Sequence, residues 1–139
     1  MGWWWAIISF IIRDLSKRLI KIAEENNIIY ESGIISNGYL LTKSVAQILK
    51  DECKISSMQI TLDGIREIHD INRPLENGQG TFDVIFQNLR NIIEILNVSI
   101  RINISKNNYQ QLFQLLDILN DEGLLDKIHI YIAPVSSVE

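Results

Sequence analysis

The sequence predicts an α/β fold in which four parallel strands alternate with four helices, in the order αβαβαβαβ. Amphipathic helical stretches alternate with short isoleucine-rich stretches, and turn-forming residues follow each isoleucine-rich stretch. Alternation of this kind requires crossover connections, which are right-handed and keep the strands parallel. The pattern fits an open doubly wound sheet and also part of a (β/α) barrel, and both place ligands at the C-terminal ends of the strands.

The first helix is predicted from apolar residues that recur at helical spacing over residues 8–23, and it ends near Asn26. Residues 28–36 follow as the first strand. Asn37 and Gly38 end this strand because both residue types tolerate a positive φ. A loop is therefore expected at the C-terminal end of the first strand.

Thr42 is the expected N-cap of the second helix, and residues 55–62 form the second strand, which ends at Asp63 and Gly64. The next stretch, residues 65–80, is polar and rich in turn-forming residues. We expect it to be an ordered functional loop that contains one helical turn.

Thr81 is the expected N-cap of the third helix, which runs to Leu96 and leads into the third strand over residues 98–104. A fourth helix stops at Gly123, a residue type common at helix C-termini, and the fourth strand covers residues 128–133. The loops after all four strands are the candidate site, because they meet at one edge of the sheet.

The composition limits the class of protein. The chain has 139 residues, 47% of them hydrophobic, which suffices for one core, and we expect a single domain over residues 1–139. A net charge of −4 argues against a nucleic-acid partner. The apolar opening, residues 3–12, is about half as long as a membrane span and has no signal-peptide flanks. We therefore expect a cytoplasmic protein with no membrane partner.

Four stretches of sequence surround the predicted strand ends: IISNGYLLT (34–42), QITLDGIREIHDINRPLENGQGTFD (59–83), RINISKNN (101–108) and IYIAPV (130–135). Together they resemble the radical S-adenosylmethionine (radical SAM) enzymes of the SPASM-containing peptide-maturase group, which includes anaerobic sulfatase-maturating enzymes. The resemblance covers nearly everything after Leu15, and the long second stretch makes it specific.

The resemblance implies a partial (β/α)6 barrel, a TIM-barrel-like core, of which these would be the third to sixth strands. The intact family uses S-adenosylmethionine (AdoMet) and a [4Fe-4S] cluster. Its CxxxCxxC cluster loop and its GGEP loop follow the first two strands, and neither motif occurs in this sequence. Cys53 is the only cysteine, whereas the cluster needs three thiolates, so we expect no metal site here and interpret the chain as a fragment.

The resemblance also implies residues that bind AdoMet. Thr61 and Arg73 match the positions that hold the ribose and the carboxylate, and an arginine suits a carboxylate because its planar fork donates two parallel hydrogen bonds. Asn37 and Asn103 match the pocket-facing asparagines of the family's third and fifth strands. The backbone edge near the adenine corresponds to Ala133 and Val135.

Several of the residues singled out in the sequence also have a purely structural interpretation. Asn37 and Gly38 can form a plain turn, and Arg73 can form a salt bridge with Asp63 or Glu67. The adjacent pair of His69 and Asp70 is an acid–base candidate, but neighbours in a loop seldom face each other, so a structural turn is favoured. Cys53 is most simply a small apolar residue.

The resemblance implies a truncated portion of a radical SAM enzyme that matures peptides or proteins. The intact form would generate a 5′-deoxyadenosyl radical and abstract hydrogen from a peptide, and this chain would be inactive alone. The alternative is a non-catalytic half-barrel that pairs its open first strand with another chain. A nucleotide-binding domain of another family is disfavoured, because no glycine-rich phosphate loop follows any predicted strand.

Overall fold

The computed structural model describes residues 2–106 and 108–135, with side chains for residues 10–106 and 108–135. The four strands form one parallel sheet in the order β1-β2-β3-β4, which confirms the predicted α/β class. The sheet is open rather than closed into a barrel. The elements are α1 (Gly2–Glu25), β1 (Ser32–Ser36), α2 (Lys43–Cys53), β2 (Ile55–Thr61), α3 (Arg66–Asn72), α4 (Phe82–Ile92), β3 (Asn97–Ile104), α5 (Gln111–Asp121) and β4 (Ile128–Pro134).

The hydrophobic core lies between one face of the sheet and helices α2, α4 and α5. Alternate residues of the central strands point into it, among them Ile60 of β2 and Ile100 of β3, both fully buried. Burying each such side chain contributes about 1.5–3 kcal/mol. The residues between them point to the opposite face, which is polar: Gln59, Thr61, Ser99, Arg101, Asn103, His129 and Tyr131. We call this the open face.

The two predicted threonine caps have different outcomes. Thr42 caps α2 as expected, since its side chain accepts a hydrogen bond from the Val45 N–H. Thr81 precedes α4, but its side chain makes no cap bond. Its hydroxyl donates instead to the Arg73 carbonyl oxygen, 2.8 Å away. Asp70 supplies the cap, because its Oδ1 accepts from the N–H groups of Thr81 and Phe82, each at 2.8 Å.

Several element boundaries differ from the prediction, and three of the differences affect how the chain is arranged. The segment over 65–80 contains a seven-residue helix, α3, rather than a single turn. Strand β1 begins at Ser32, which pairs with the first residue of β2, so residues 28–31 have no neighbouring strand. Helix α4 ends at Ile92, and a turn in which the Leu96 N–H bonds to the Ile92 carbonyl leads into β3.

Helix α1 packs on α2 through only one edge of its apolar stripe. Ser16 and Ala23 are buried, and Arg13 bonds to Glu52 of α2 at 2.8 Å. Much of the apolar stripe of α1 is left exposed, because the helix packs mainly against α2, on one side. Five apolar residues of the helix are 42–70% exposed: Phe10, Ile11, Leu15, Leu19 and Ile22. We call these five residues the α1 stripe.

A groove follows the outer edge of β1, where no strand of the described chain pairs with it. Its volume is about 390 Å³, and Ile35 beside it is 74% exposed. The groove is lined by residues of α1, β1, the loop after β1, α2 and β2: Ile12, Ile34, Ile35, Ser36, Asn37, Leu40, Leu41, Leu49 and Met58.

Across residues 2–106 and 108–135, no helix has both the length and the hydropathy that a membrane span requires.

Candidate functional site

A hydrogen-bonded network joins the C-terminal ends of β2 and β3, and Asp63 is its centre. The Asp63 carboxylate is buried and uses both oxygens. Oδ1 accepts from Asn103 Nδ2 at 2.9 Å, and Oδ2 accepts from Arg73 Nε at 2.6 Å. The Asp63 side chain therefore ties the third strand and the segment after α3 to the end of the second strand.

The chain turns sharply directly after Asp63. Gly64 has a φ of 147°, and a Cβ there would lie 3.3 Å from the Ile68 side chain. Glycine is therefore required if α3 is to begin so close to the end of β2. After the turn, α3 runs close enough to the end of β2 for His69 to bond to the Asp63 N–H.

His69 of α3 forms hydrogen bonds to both ends of the segment that follows β2, at Asp63 and at Thr81. Its side chain is fully buried, and its Nδ1 accepts from the Asp63 N–H at 3.3 Å. Nδ1 is therefore unprotonated, and Nε2 carries the proton and donates to Thr81 Oγ1 at 3.1 Å. Burial lowers the pKa of His69, the charges of Asp63 and Asp70 oppose this shift, and Arg73 adds to it. A neutral, structural histidine is the result.

We expect the free energy of unfolding to fall as the pH drops below 6.5, the ordinary pKa of histidine. The unfolded chain takes up a proton there that folded His69 resists, with a slope of at most about 1.4 kcal/mol per pH unit. Urea denaturation on both sides of that pH measures the slope. His69→Gln should remove this contribution, and His129→Gln, which changes an exposed histidine of β4, is the matched substitution. An unchanged slope in His69→Gln would contradict the assignment.

Asn108 closes the network from the loop after β3. Its Nδ2 donates to the carbonyl oxygens of Asp63, at 3.1 Å, and of Asn103, at 2.8 Å. Its Oδ1 accepts from the Ser105 N–H at 2.6 Å. Sequence reasoning placed Asn108 in a loop but gave it no role. An asparagine at the end of a loop that follows a buried strand was the available signal.

Arg101 lies on the open face of β3, two residues before Asn103. Its Nε donates to Asn103 Oδ1 at 3.0 Å, and its guanidinium carbon lies 5.8 Å from the centre of the Tyr131 ring on β4. Asn103 thus links Arg101 to Asp63, with its amide oxygen toward one and its amide nitrogen toward the other. Neither Arg101 nor Tyr131 carries a function predicted from the sequence.

The structure brings three of the six proposed AdoMet residues onto adjacent strands. Thr61 pairs with Arg101 in register, and Asn103 pairs with Ala133. Alternation puts Thr61, Asn103 and Ala133 on the open face. Arg73 reaches the same end of the sheet through its bond to Asp63, which is one of the two salt-bridge partners that the sequence suggested.

The other two proposed residues lie at the two edges of the sheet. Asn37 is exposed, follows the last residue of β1, and turns the chain there because its Oδ1 accepts from the Tyr39 N–H at 3.1 Å. Asn88 of α4 holds this loop by donating to the carbonyl of Gly38 at 2.9 Å. Val135 follows β4 and donates its N–H to the Ile104 carbonyl at 2.8 Å.

The described residues do not fit an iron–sulfur cluster. Cys53 is the single cysteine, and its side chain is fully buried at the end of α2, packed in the hydrophobic core. Over residues 2–106 and 108–135, no three His, Cys, Asp or Glu side chains come together in a way that could hold a metal ion. The donor set therefore offers no thiolate cradle, and no chemical step of a cluster can be derived from these residues.

No protein-family model and no curated protein sequence matches this chain. Among solved structures, the fold matches one described as native anSMEcpe with bound AdoMet, with a TM-score of 0.72 and 18% identity over 89% of this chain and 34% of that chain. A structure of the same protein with AdoMet and the Kp18Cys peptide matches equally well. A third, with AdoMet and the Cp18Cys peptide, matches with a TM-score of 0.70.

The matched protein is an anaerobic sulfatase-maturating radical SAM enzyme. The four-stranded parallel sheet of this chain has the same fold as part of the (β/α) core of that enzyme. At 18% identity the likeness establishes the fold alone. The chain spans 32–34% of the length of the structures that it matches, so the activity and partners of a whole enzyme are matters of proposal.

Proposed function

We propose that residues 1–139 form one incomplete core domain of a cytoplasmic radical SAM enzyme of the SPASM-type group that matures peptides or proteins, and that this part holds AdoMet. The observation that carries the proposal is the convergence of Thr61, Asn103 and Ala133 on the open face, at the strand ends of a sheet with the radical SAM fold. The matched structures carry bound AdoMet, and two of them carry a peptide.

Within this proposal each residue has a defined task. The Thr61 hydroxyl binds the ribose, the Arg73 guanidinium binds the carboxylate, and the side chains of Asn37 and Asn103 flank the cofactor. The adenine lies against the backbone edge that ends in Val135. Catalysis also needs a [4Fe-4S] cluster, which the single cysteine cannot ligate. The chain alone therefore binds AdoMet without cleaving it.

We expect weak, saturable binding of AdoMet to the 139-residue chain, measured by NMR titration. Thr61→Val removes one hydroxyl at nearly constant volume and should lower the affinity by about 0.5–1.5 kcal/mol, the usual value of one hydrogen bond. Ser57→Ala is the control, because Ser57 lies on the same face four residues nearer the start of β2. No binding at millimolar AdoMet, or equal losses in both variants, would contradict the proposal.

A second candidate function is favoured by the groove at the outer edge of β1. In this alternative the half-barrel is not catalytic, and its open first strand pairs with an extended segment of another chain. The exposed Ile35 and the apolar lining of the groove support it, since an unpaired strand edge beside an apolar groove is a template for strand addition. Loss of AdoMet binding together with retained strand pairing would favour this candidate.

A further inference from the structure

We propose that Arg101 is a carboxylate-binding site on the open face and that it takes an acidic side chain of a peptide substrate. This inference rests on the proposed function, which supplies the peptide, and it adds the substrate class. Three features of Arg101 support it: the contacts that hold its side chain, the lack of a carboxylate partner among the described residues, and its position beside the residues proposed to hold AdoMet.

The protein holds the Arg101 guanidinium through Nε and leaves its terminal nitrogens available to a ligand. Its Nε bonds to Asn103 Oδ1 at 3.0 Å, and the guanidinium lies over the Tyr131 ring. Within the described chain, its two terminal nitrogens have no hydrogen-bond partner. A guanidinium held through Nε and an aromatic ring keeps its two terminal N–H groups together as a fork, which matches the two oxygens of a carboxylate.

The charge balance of the site separates Arg101 from Arg73. The charge of Arg73 is neutralised by the buried carboxylate of Asp63, 2.6 Å away. No carboxylate of the described residues lies within ion-pair distance of Arg101, and its one polar partner, Asn103, is neutral. Arg101 is therefore the uncompensated positive charge of this face. Because the side chain is half-buried, that charge is screened less than one on the outer surface.

The position of Arg101 favours a substrate carboxylate over that of AdoMet. AdoMet has one carboxylate, and the proposed function assigns it to Arg73. Arg101 lies beside Thr61 in the sheet, and its guanidinium lies over the ring of Tyr131, a β4 residue that is 54% exposed. A second anionic group reaching the open face from that side would meet the Arg101 fork.

The test is an NMR titration of the 139-residue chain with two capped tripeptides, acetyl-Gly-Glu-Gly-amide and acetyl-Gly-Gln-Gly-amide. We expect the glutamate peptide to bind at least about fivefold more tightly than the glutamine peptide, because hydrogen bonds between charged groups are stronger than neutral ones. Arg101→Gln should abolish this preference, and Tyr131→Leu should reduce it by loosening the guanidinium. Dispersed amide spectra establish that each variant is folded.

Arg90→Gln is the matched control, because Arg90 also lies over an aromatic ring, that of Phe86, but is paired with Glu122 on the helical side. The preference should survive in this variant. A preference that is absent from the native chain, or that persists in Arg101→Gln, would overturn the proposal.

A second titration compares AdoMet with decarboxylated AdoMet and separates the two sources of carboxylate. If Arg101→Gln removes the preference for AdoMet over its decarboxylated analogue, Arg101 serves the cofactor and the peptide assignment is wrong. If AdoMet does not bind at all while the glutamate preference depends on Arg101, the proposed function fails and the carboxylate site stands. The two ideas can therefore fail separately.

Discussion

Asp63→Ala is expected to lower the free energy of unfolding by about 2–3 kcal/mol, since two hydrogen bonds to a buried charge are lost. Asn103 and Arg73 both lose their acceptor, although Arg73, with 38% of its side chain exposed, recovers part of its hydration. Of the side-chain ties between the ends of β2 and β3, those of Asn108 then remain, beside the backbone bond from the Leu62 N–H to the Arg101 carbonyl. Urea denaturation at neutral pH measures the loss.

Asp83→Ala is the matched control for this substitution. Asp83 also pairs with an arginine, Arg66, but its side chain is 63% exposed. An exposed pair of this kind contributes about 0–1 kcal/mol. Asp63→Asn should fall between the two, because it keeps an acceptor oxygen without the charge. Equal and small losses in Asp63→Ala and Asp83→Ala would show that the network around Asp63 does not stabilise the fold.

The strands were predictable from the sequence because the alternation of apolar residues with turn residues is a local property. Residues 98–104 read as a strand, and the structure places β3 one residue longer at its start. The two helix caps show the limit of prediction from local sequence. Thr42 caps its own helix through a local bond, whereas the cap of α4 comes from Asp70, eleven residues before Thr81, once α3 has folded back. No local pattern encodes that distance.

The candidate site was predictable only in part, for the same reason. The family resemblance and the strand-end rule placed Thr61 and Asn103 at one end of the sheet, and the structure has them on neighbouring strands. The bond between Arg101 and Asn103 and the contact with Tyr131 depend on the register of β3 against β4, which hydrophobic pattern alone does not determine. The role proposed for Arg101 therefore rests on contacts that the sequence alone does not reveal.

The 139-residue chain is expected to associate with itself as its concentration rises, and the outer edge of β1 is the expected contact. The edge presents unpaired backbone N–H and C=O groups beside an apolar groove of about 390 Å³, so a strand of a second copy can pair there. Size-exclusion chromatography with light scattering across a concentration series measures the association. Ile35→Lys should shift the chain to a monomer, because a charged residue on an edge strand opposes pairing.

The α1 stripe is the competing surface for self-association, and a paired substitution separates it from the β1 edge. Leu15 is 55% exposed, so Leu15→Lys changes the stripe without disturbing the core. If strand pairing causes the association, Ile35→Lys is monomeric and Leu15→Lys still associates. The reverse result assigns the contact to helix packing, because an apolar helix face buries area without needing the strand's backbone groups. A native chain that stays monomeric and melts cooperatively at every concentration would show that neither surface drives association, and strand pairing would lose its support as a function.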